Sequence, residues 1–122
     1  MTESGDGWAT ATLDDLGSGP GFRKVRVPLG VTEFGVNAIV LPPSFEGRRH
    51  SHERQQELYL VLDGEVEIEF GGGERRRLGP GGLARVDAPT VRLIRNVSDT
   101  DEATFFCVGA EGGYVGRDGV PG

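Results

Sequence analysis

The 122-residue chain has little cysteine, little lysine and no long apolar segment. Cys107 is the only cysteine, which excludes an internal disulfide framework and predicts a cytoplasmic protein. No apolar run approaches the roughly 20 residues that cross a membrane, so no membrane association is expected. Residues 1–7 are polar and acidic, which is not typical of an export signal.

Positive charge is also scarce. Acidic residues outnumber Lys and Arg by 19 to 13, the formal net charge is -6, and Lys24 is the only lysine. A protein that binds a phosphate backbone usually needs a basic face, so nucleic acid is not expected as a partner. The length allows one domain with one hydrophobic core.

Glycine is abundant, with 21 residues, and seven prolines accompany it. This composition favours many turns and few long helices. Short stretches of alternating or β-branched residues lie between the turn signals and predict strands. The predicted strands cover residues 22–29, 33–41, 57–62, 65–70, 75–78, 83–86, 91–97 and 103–108. Asp63-Gly64 is a strong hairpin signal between two of them. The pattern predicts an all-β, antiparallel barrel or jelly roll.

Three parts of the chain differ in composition. Residues 1–21 form a Gly-rich, acidic leader, which we expect to pack on the barrel with Trp8 as its anchor. Thr12 could alternatively cap a single helical turn in this leader. Residues 22–109 carry the strands of the barrel, and residues 110–122 form a Gly-rich tail.

The two histidines of the chain stand two residues apart, at His50 and His52. Residues two apart on an extended segment point to the same face, and Glu57 follows at the start of an apolar strand. Two imidazoles and one carboxylate can bind divalent iron, manganese, nickel or zinc and leave positions open for water or substrate. The alternative is two solvated loop histidines and a surface glutamate.

The same residues resemble a known family. His50-Ser-His52, four residues, Glu57, six residues and Gly64 resemble the first motif of the cupins, although Ser44 stands where that motif usually opens with glycine. Residues 78–89 resemble the start of the second motif and Arg95-Asn96 its end. The resemblance covers residues 22–109 and implies a small jelly-roll barrel, often dimeric, with a metal in its interior.

The second motif departs from the family at one position. Aligning Asn96 with the asparagine of the motif puts Arg92 where the usual histidine ligand stands. An arginine stays protonated and has no lone pair for a metal. Arg92 shares strand parity with Ile94, so it should point inward, and a buried guanidinium needs an anion. Glu57 and a bound carboxylate are the two candidates for that anion.

These features lead to two main functional hypotheses. The first is a metal-dependent enzyme that acts on a small, carboxylate-bearing molecule, with Arg92 and Tyr59 as candidate catalytic residues. The resemblance implies oxygenase, isomerase or decarboxylase activity. The second is a non-catalytic barrel that binds a small molecule, with or without metal; a barrel that only associates with another protein ranks last. Tyr59 could instead be a core residue, and a homodimer is expected in each case.

Overall fold

The computed structural model describes residues 2–122. The described chain consists mainly of strands, with a single turn of 3-10 helix at Leu13–Leu16 and a single turn of α-helix, α1, at Arg26–Leu29. The strands are β1 (Glu3–Gly5), β2 (Trp8–Thr10), β3 (Gly21–Lys24), β4 (Gly35–Leu41), β5 (Gln56–Asp63), β6 (Val66–Phe70), β7 (Glu74–Leu78), β8 (Leu83–Val86), β9 (Arg92–Asn96) and β10 (Ala103–Ala110).

Two antiparallel sheets enclose the core. One has five strands in the order β3-β4-β10-β5-β8, and the other has three in the order β7-β6-β9. Strands β1 and β2 pair only with each other, as a separate hairpin. The predicted all-β, antiparallel fold with little helix is therefore confirmed. Within residues 2–122, no helix is long and apolar enough to cross a membrane.

The alternation of side chains fixes which residues face the interior. On β5, Tyr59 and Val61 are 3% and 1% exposed, and on β6, Val66 and Ile68 are each 1% exposed. These side chains meet in one apolar cluster together with Phe105 of β10. Because successive side chains of a strand point to opposite faces, Glu57 enters the interior with Tyr59 and Val61.

The turn between β5 and β6 needs its glycine. Gly64 has a φ of 73°, a conformation that side chains with a β-carbon rarely adopt. A β-carbon at Gly64 would also lie 2.6 Å from the carbonyl oxygen of Glu102. The hairpin predicted from Asp63-Gly64 is present, and it sets the register in which Glu57 enters the barrel.

The outer face of β6 carries Glu67 and Glu69, and arginines cover it. Arg95 of β9 pairs with Glu67 at 2.6 Å, and Arg75 of β7 pairs with Glu69 at 3.1 Å. Arg49 also pairs with Glu69, and this hydrogen bond holds the pKa of that carboxyl below its usual value. The Arg49 pair fastens the segment next to His50 to the outside of the barrel.

One predicted strand is wrong over half its length. Residues 22–29 were expected to be extended, but β3 ends at Lys24 and α1 occupies Arg26–Leu29. Pro28 has no N–H for a sheet ladder and is tolerated in the first turn of a helix. Gly30 then ends the turn with a left-handed φ of 69°.

The leader forms the β1–β2 hairpin and a turn of 3-10 helix. Thr12 caps that turn through a reciprocal pair of hydrogen bonds with Asp15, as the capping alternative predicted. Trp8, which we expected to anchor the leader on the barrel, is 55% exposed. Its ring lies over Gly5 of the same hairpin, where a β-carbon would come within 2.7 Å. The residues from Glu111 to Gly122 form no helix or strand.

A strained turn precedes the histidines. The N–H of Phe45 donates to the carbonyl of Pro42 at 3.2 Å, which closes a turn with Pro43 and Ser44 in its centre. Ser44 has a φ of 62°. A type II turn requires a positive φ at this position and favours glycine there, with proline before it. Ser44 therefore has a backbone conformation that favours glycine, which strains its β-carbon.

Replacing this residue, Ser44→Gly, should stabilise the fold. Relief of the left-handed strain outweighs the added freedom of the unfolded chain, and we expect a gain of about 0.5–1 kcal/mol. The Ser44→Ala variant is the matched control, because it retains the β-carbon and should change stability little. Denaturant unfolding monitored by circular dichroism measures both variants. Equal stabilisation by Ala and Gly would contradict the explanation from backbone strain.

Candidate metal centre

The two histidines lie on a segment that runs beside β9. The backbone N–H of His50 donates to the carbonyl of Arg92 at 3.0 Å, and the N–H of Arg92 donates back to His50 at 2.9 Å. The N–H of His52 donates to the carbonyl of Ala88 at 2.8 Å. These bonds hold the segment extended although it is not part of a regular strand. Both imidazoles therefore turn to the same side, as their spacing predicted.

The structure brings His50, His52 and Glu57 together. Each offers one ligand atom, and these atoms lie within 4.8 Å of one another. Nε2 of His52 is 3.3 Å from Oε2 of Glu57. The two imidazole rings meet edge to face, with centroids 5.4 Å apart. Two neutral imidazoles and one carboxylate form a donor set that fits a divalent transition metal.

The groups behind the imidazoles determine which nitrogen can bind a metal. Nδ1 of His50 donates to the carbonyl of Arg48 at 3.1 Å, so the lone pair is on Nε2. Nδ1 of His52 lies 3.2 Å from Nε2 of Gln55 and accepts from it. A metal on Nε2 of His52 would require Nδ1 to carry the proton instead, and the Gln55 amide would then turn so that its oxygen accepts.

Glu57 is the most enclosed member of the set, with 8% of its surface exposed. The hydroxyl of Tyr59 donates to Oε1 at 2.5 Å, and the thiol of Cys107 lies 3.4 Å from Oε2. Burial raises the pKa of Tyr59 far above its usual value, and the bond to Glu57 raises it further. Burial and the charge of Glu57 raise the pKa of the Cys107 thiol in the same way. Both groups therefore stay protonated and donate to the carboxylate.

Tyr59 is a core residue, as the alternative predicted, and it also reaches the candidate metal centre. Its ring is 3% exposed and packs edge to face against Phe105, with centroids 5.7 Å apart. It also lines the cavity at the metal centre. The ring packing and the hydrogen bond to Glu57 fix the position of the hydroxyl. In this arrangement the hydroxyl of Tyr59 is engaged as a donor to Glu57.

Arg92 points inward, as strand parity predicted, and is completely buried. Its Nη2 lies 4.0 Å from Oε1 of Glu57 and donates to the carbonyl oxygens of Val86 and Asp87 at 3.4 and 3.1 Å. Its Nε and Nη1 find no hydrogen-bond partner among the described residues. Arg92 lies behind Glu57 and does not line the cavity. Of the two anions expected for it, Glu57 is thus the one within reach.

The metal centre opens into a cavity of about 320 Å³. Apolar side chains form most of its wall, including Ile39, Ile94 and Phe105, and the three candidate ligands lie along one side. A cavity of this size accommodates a small molecule.

Two neighbours of the centre were not recognised from the sequence. Cys107 on β10 is paired with Tyr59 on β5 and lines the cavity. Cys107 is two residues from Phe105 on the same strand, so strand alternation predicts that both side chains face the same side of the sheet. Gln55 precedes β5 in an irregular segment, and no periodicity marked its contact with His52.

Comparison with known proteins agrees with this geometry. The sequence matches the cupin domain family over residues 38–109, which is more than half of the 122 residues. The chain belongs to the cupin family. The matched range starts within β4 and ends within β10, so it includes all three candidate ligands and Arg92 of this cupin. A search of curated proteins gave no match.

Several solved structures are similar to this cupin. A cupin protein from Bacteroides fragilis has a TM-score of 0.77 at 23% identity, covering 95% of this chain and 98% of that one. A sugar phosphate isomerase of the cupin superfamily from Silicibacter pomeroyi has a TM-score of 0.65 at 29% identity, covering 73% of this chain and 57% of that one. KdgF from a Halomonas species has a TM-score of 0.57 at 22% identity, covering 66% and 71%. The likeness to the first and third establishes a shared fold.

Replacing the buried guanidinium, Arg92→His, should raise metal affinity. The change adds an imidazole at the position of the usual ligand and removes a fixed positive charge beside Glu57. We expect a gain of about tenfold or more, measured by competition with a chelator of known affinity. Arg95→His is the matched control, because Arg95 lies on the outer face of β9 and pairs with Glu67. Weaker binding in Arg92→His would mean that Arg92 supports the centre through Glu57.

Proposed function

We propose that this cupin holds a divalent transition metal at His50, His52 and Glu57 and binds a small molecule in the adjoining cavity. The convergence of three ligand atoms within 4.8 Å at the wall of a 320 Å³ cavity carries the proposal. Iron, manganese, nickel and zinc all accept this donor set. The acidic composition and the single cysteine suggest a cytoplasmic protein with no nucleic-acid or membrane partner.

The residues of the chain have separate tasks in this proposal. When bound, the metal supplies Lewis acidity to an oxygen of the ligand. Tyr59 holds Oε1 of Glu57, so that Oε2, which lies 3.3 Å from Nε2 of His52, is the oxygen that would coordinate the metal. Gln55 orients His52, and the apolar wall excludes water from the coordinated group. With three protein ligands, positions remain for a small molecule.

The first hypothesis is that the protein is an enzyme. The reaction classes considered are isomerisation, oxygenation and decarboxylation. The sugar phosphate isomerase among the similar structures supports isomerisation, although this chain spans only 57% of that protein. The second hypothesis is that the protein is a non-catalytic barrel that binds the same kind of molecule. The carboxylate anchor expected from Arg92 does not enter the proposal, because this side chain is wholly buried and does not line the cavity.

The metal content of protein purified without chelators tests the proposal. We expect close to one divalent metal per chain, and the His50→Ala and His52→Ala variants should lose it, because each removes one of three ligands. Glu57→Gln should weaken binding, whereas Glu65→Gln, on the exposed outer face, should leave it unchanged. Metal retained by the double histidine variant would refute the site. A turnover screen of the loaded protein with keto, enol and hydroxy substrates then separates an enzyme from a binding barrel.

We also propose that the protein is a homodimer. The outer faces of β5 and β8 expose Leu58, Leu62 and Leu83, which are 44%, 42% and 59% exposed. Leu83 is paired with Leu60 on β5, so it lies beside the leucines of that strand, while Arg85 is paired with Leu58 at the border of this apolar surface. An apolar surface of this kind is usually covered by a partner.

Sedimentation equilibrium at tens of micromolar should therefore detect a dimer. The Leu62→Glu variant should weaken the dimer by about tenfold or more, because it introduces a charge into the apolar surface. Val91→Glu is the control, since Val91 is 40% exposed but lies outside β5 and β8. A wild-type monomer, or equal effects of both variants, would contradict the proposal.

A further inference from the structure

An apolar groove continues from the metal cavity towards the surface. The groove has a volume of about 580 Å³ and is lined by Phe45 and by residues that also line the inner cavity. The shared residues are Phe22, Ile39, His50, Ile94 and Phe105. His50 thus stands between the two spaces. The groove and the inner cavity therefore adjoin at these five residues, one of which is a candidate ligand of the metal.

Positive charge is missing where a charged ligand would need it. Among residues 2–122, no arginine or lysine lines the inner cavity, and Arg48 is the one cation along the groove. A phosphate that lay in the groove, away from the metal, would have Arg48 as its one cationic partner and would otherwise contact apolar side chains, which is unfavourable. The inner cavity already contains the carboxylate of Glu57. The enclosed space therefore favours an uncharged molecule.

The opposite opening, next to His52, does not supply the missing charge. Arg26 and Arg54 line it, but so do three glutamates: Glu33, Glu53 and Glu111. Arg54 is already paired with Glu111 at 3.6 Å. The formal charge of this opening is negative, so it does not attract a phosphate or a polyanionic sugar.

We propose that the small molecule has an oxygen-donor head group, held at His50, His52 and Glu57, and an uncharged, largely apolar body that lies in the groove between Phe22, Phe45 and Phe105. The head group rests on the proposed metal site, whereas the apolar body rests on the lining of the groove alone. Phosphorylated and polyanionic sugars should bind more weakly than such a molecule, because the groove is mainly apolar and has one cation, Arg48, in its described lining.

Alkyl hydroxamates of increasing length test the proposal, because the hydroxamate is a constant bidentate oxygen donor. Calorimetry on the protein loaded with nickel or cobalt should show that affinity rises from acetohydroxamate to octanohydroxamate by about two- to fourfold per methylene. A hydroxamate of equal length that ends in a phosphonate should bind no better than acetohydroxamate. Affinity that does not depend on length, or a preference for the phosphonate, would overturn the proposal.

A pair of phenylalanine variants tests whether the increase in affinity with chain length comes from the groove. Phe45→Ser should weaken octanohydroxamate by about tenfold and leave acetohydroxamate unchanged, because Phe45 lines the groove and not the inner cavity. Phe34→Ser is the control: Phe34 is 43% exposed and Phe45 44%, but Phe34 lines the opening next to His52. Equal losses in both variants would contradict the assignment of the groove.

Failure of the metal site can be told apart from failure of the groove. If metal-loaded protein binds acetohydroxamate but gains nothing with chain length, the metal proposal stands and the groove proposal falls. If no metal binds, the same series is measured on unloaded protein and on the His50→Ala/His52→Ala variant. A length dependence that survives there, and that Phe45→Ser reduces, supports the groove alone. If affinity depends on chain length in neither of these two proteins, the groove proposal is refuted.

Discussion

The buried carboxylate of Glu57 is the group on which the rest of the centre depends. A charge in the interior of a barrel is costly unless other groups compensate it. Tyr59 donates to it at 2.5 Å, Cys107 lies at 3.4 Å, and the guanidinium of Arg92 lies at 4.0 Å. These contacts give the carboxylate partners from β5, β9 and β10. A divalent metal would join a charge pair that already exists, in which Arg92 opposes the cation while it stabilises the anion.

The sequence predicted the direction of side chains correctly where the two-residue alternation of a β-strand determines it. Parity along β5 predicted that Glu57 and Tyr59 face inward, and parity along β9 predicted the burial of Arg92 with Ile94. Proximity across the sheet was harder to predict. Cys107 reaches Glu57 only because β10 pairs with β5 in one particular register. The helical turn at Arg26–Leu29 was missed because the alternation that ends at Lys24 was extended through Pro28, which has no N–H for a sheet ladder.

Membership in the cupin family defines the scaffold but not the ligand. Similar structures include a sugar phosphate isomerase, yet the wall of this cavity is apolar and lacks a cation among the described residues. One fold supports many activities because the side chains that line its interior can change independently of the sheets. Arg92 stands where the motif resemblance places a histidine ligand; it points inward from β9 but has no lone pair for a metal. Ser44 stands where the same resemblance places a glycine, and its backbone has the positive φ that glycine favours.

X-ray absorption spectroscopy of the metal that the protein retains tests the central claim most directly. We predict a first shell of nitrogen and oxygen together with outer-shell scattering from two imidazoles. The chain has only two histidines, so both must contribute, and the signal must disappear when either is replaced by alanine. A spectrum that requires no imidazole or only one, or that is unchanged in the variant lacking both histidines, would contradict a metal held by His50, His52 and Glu57.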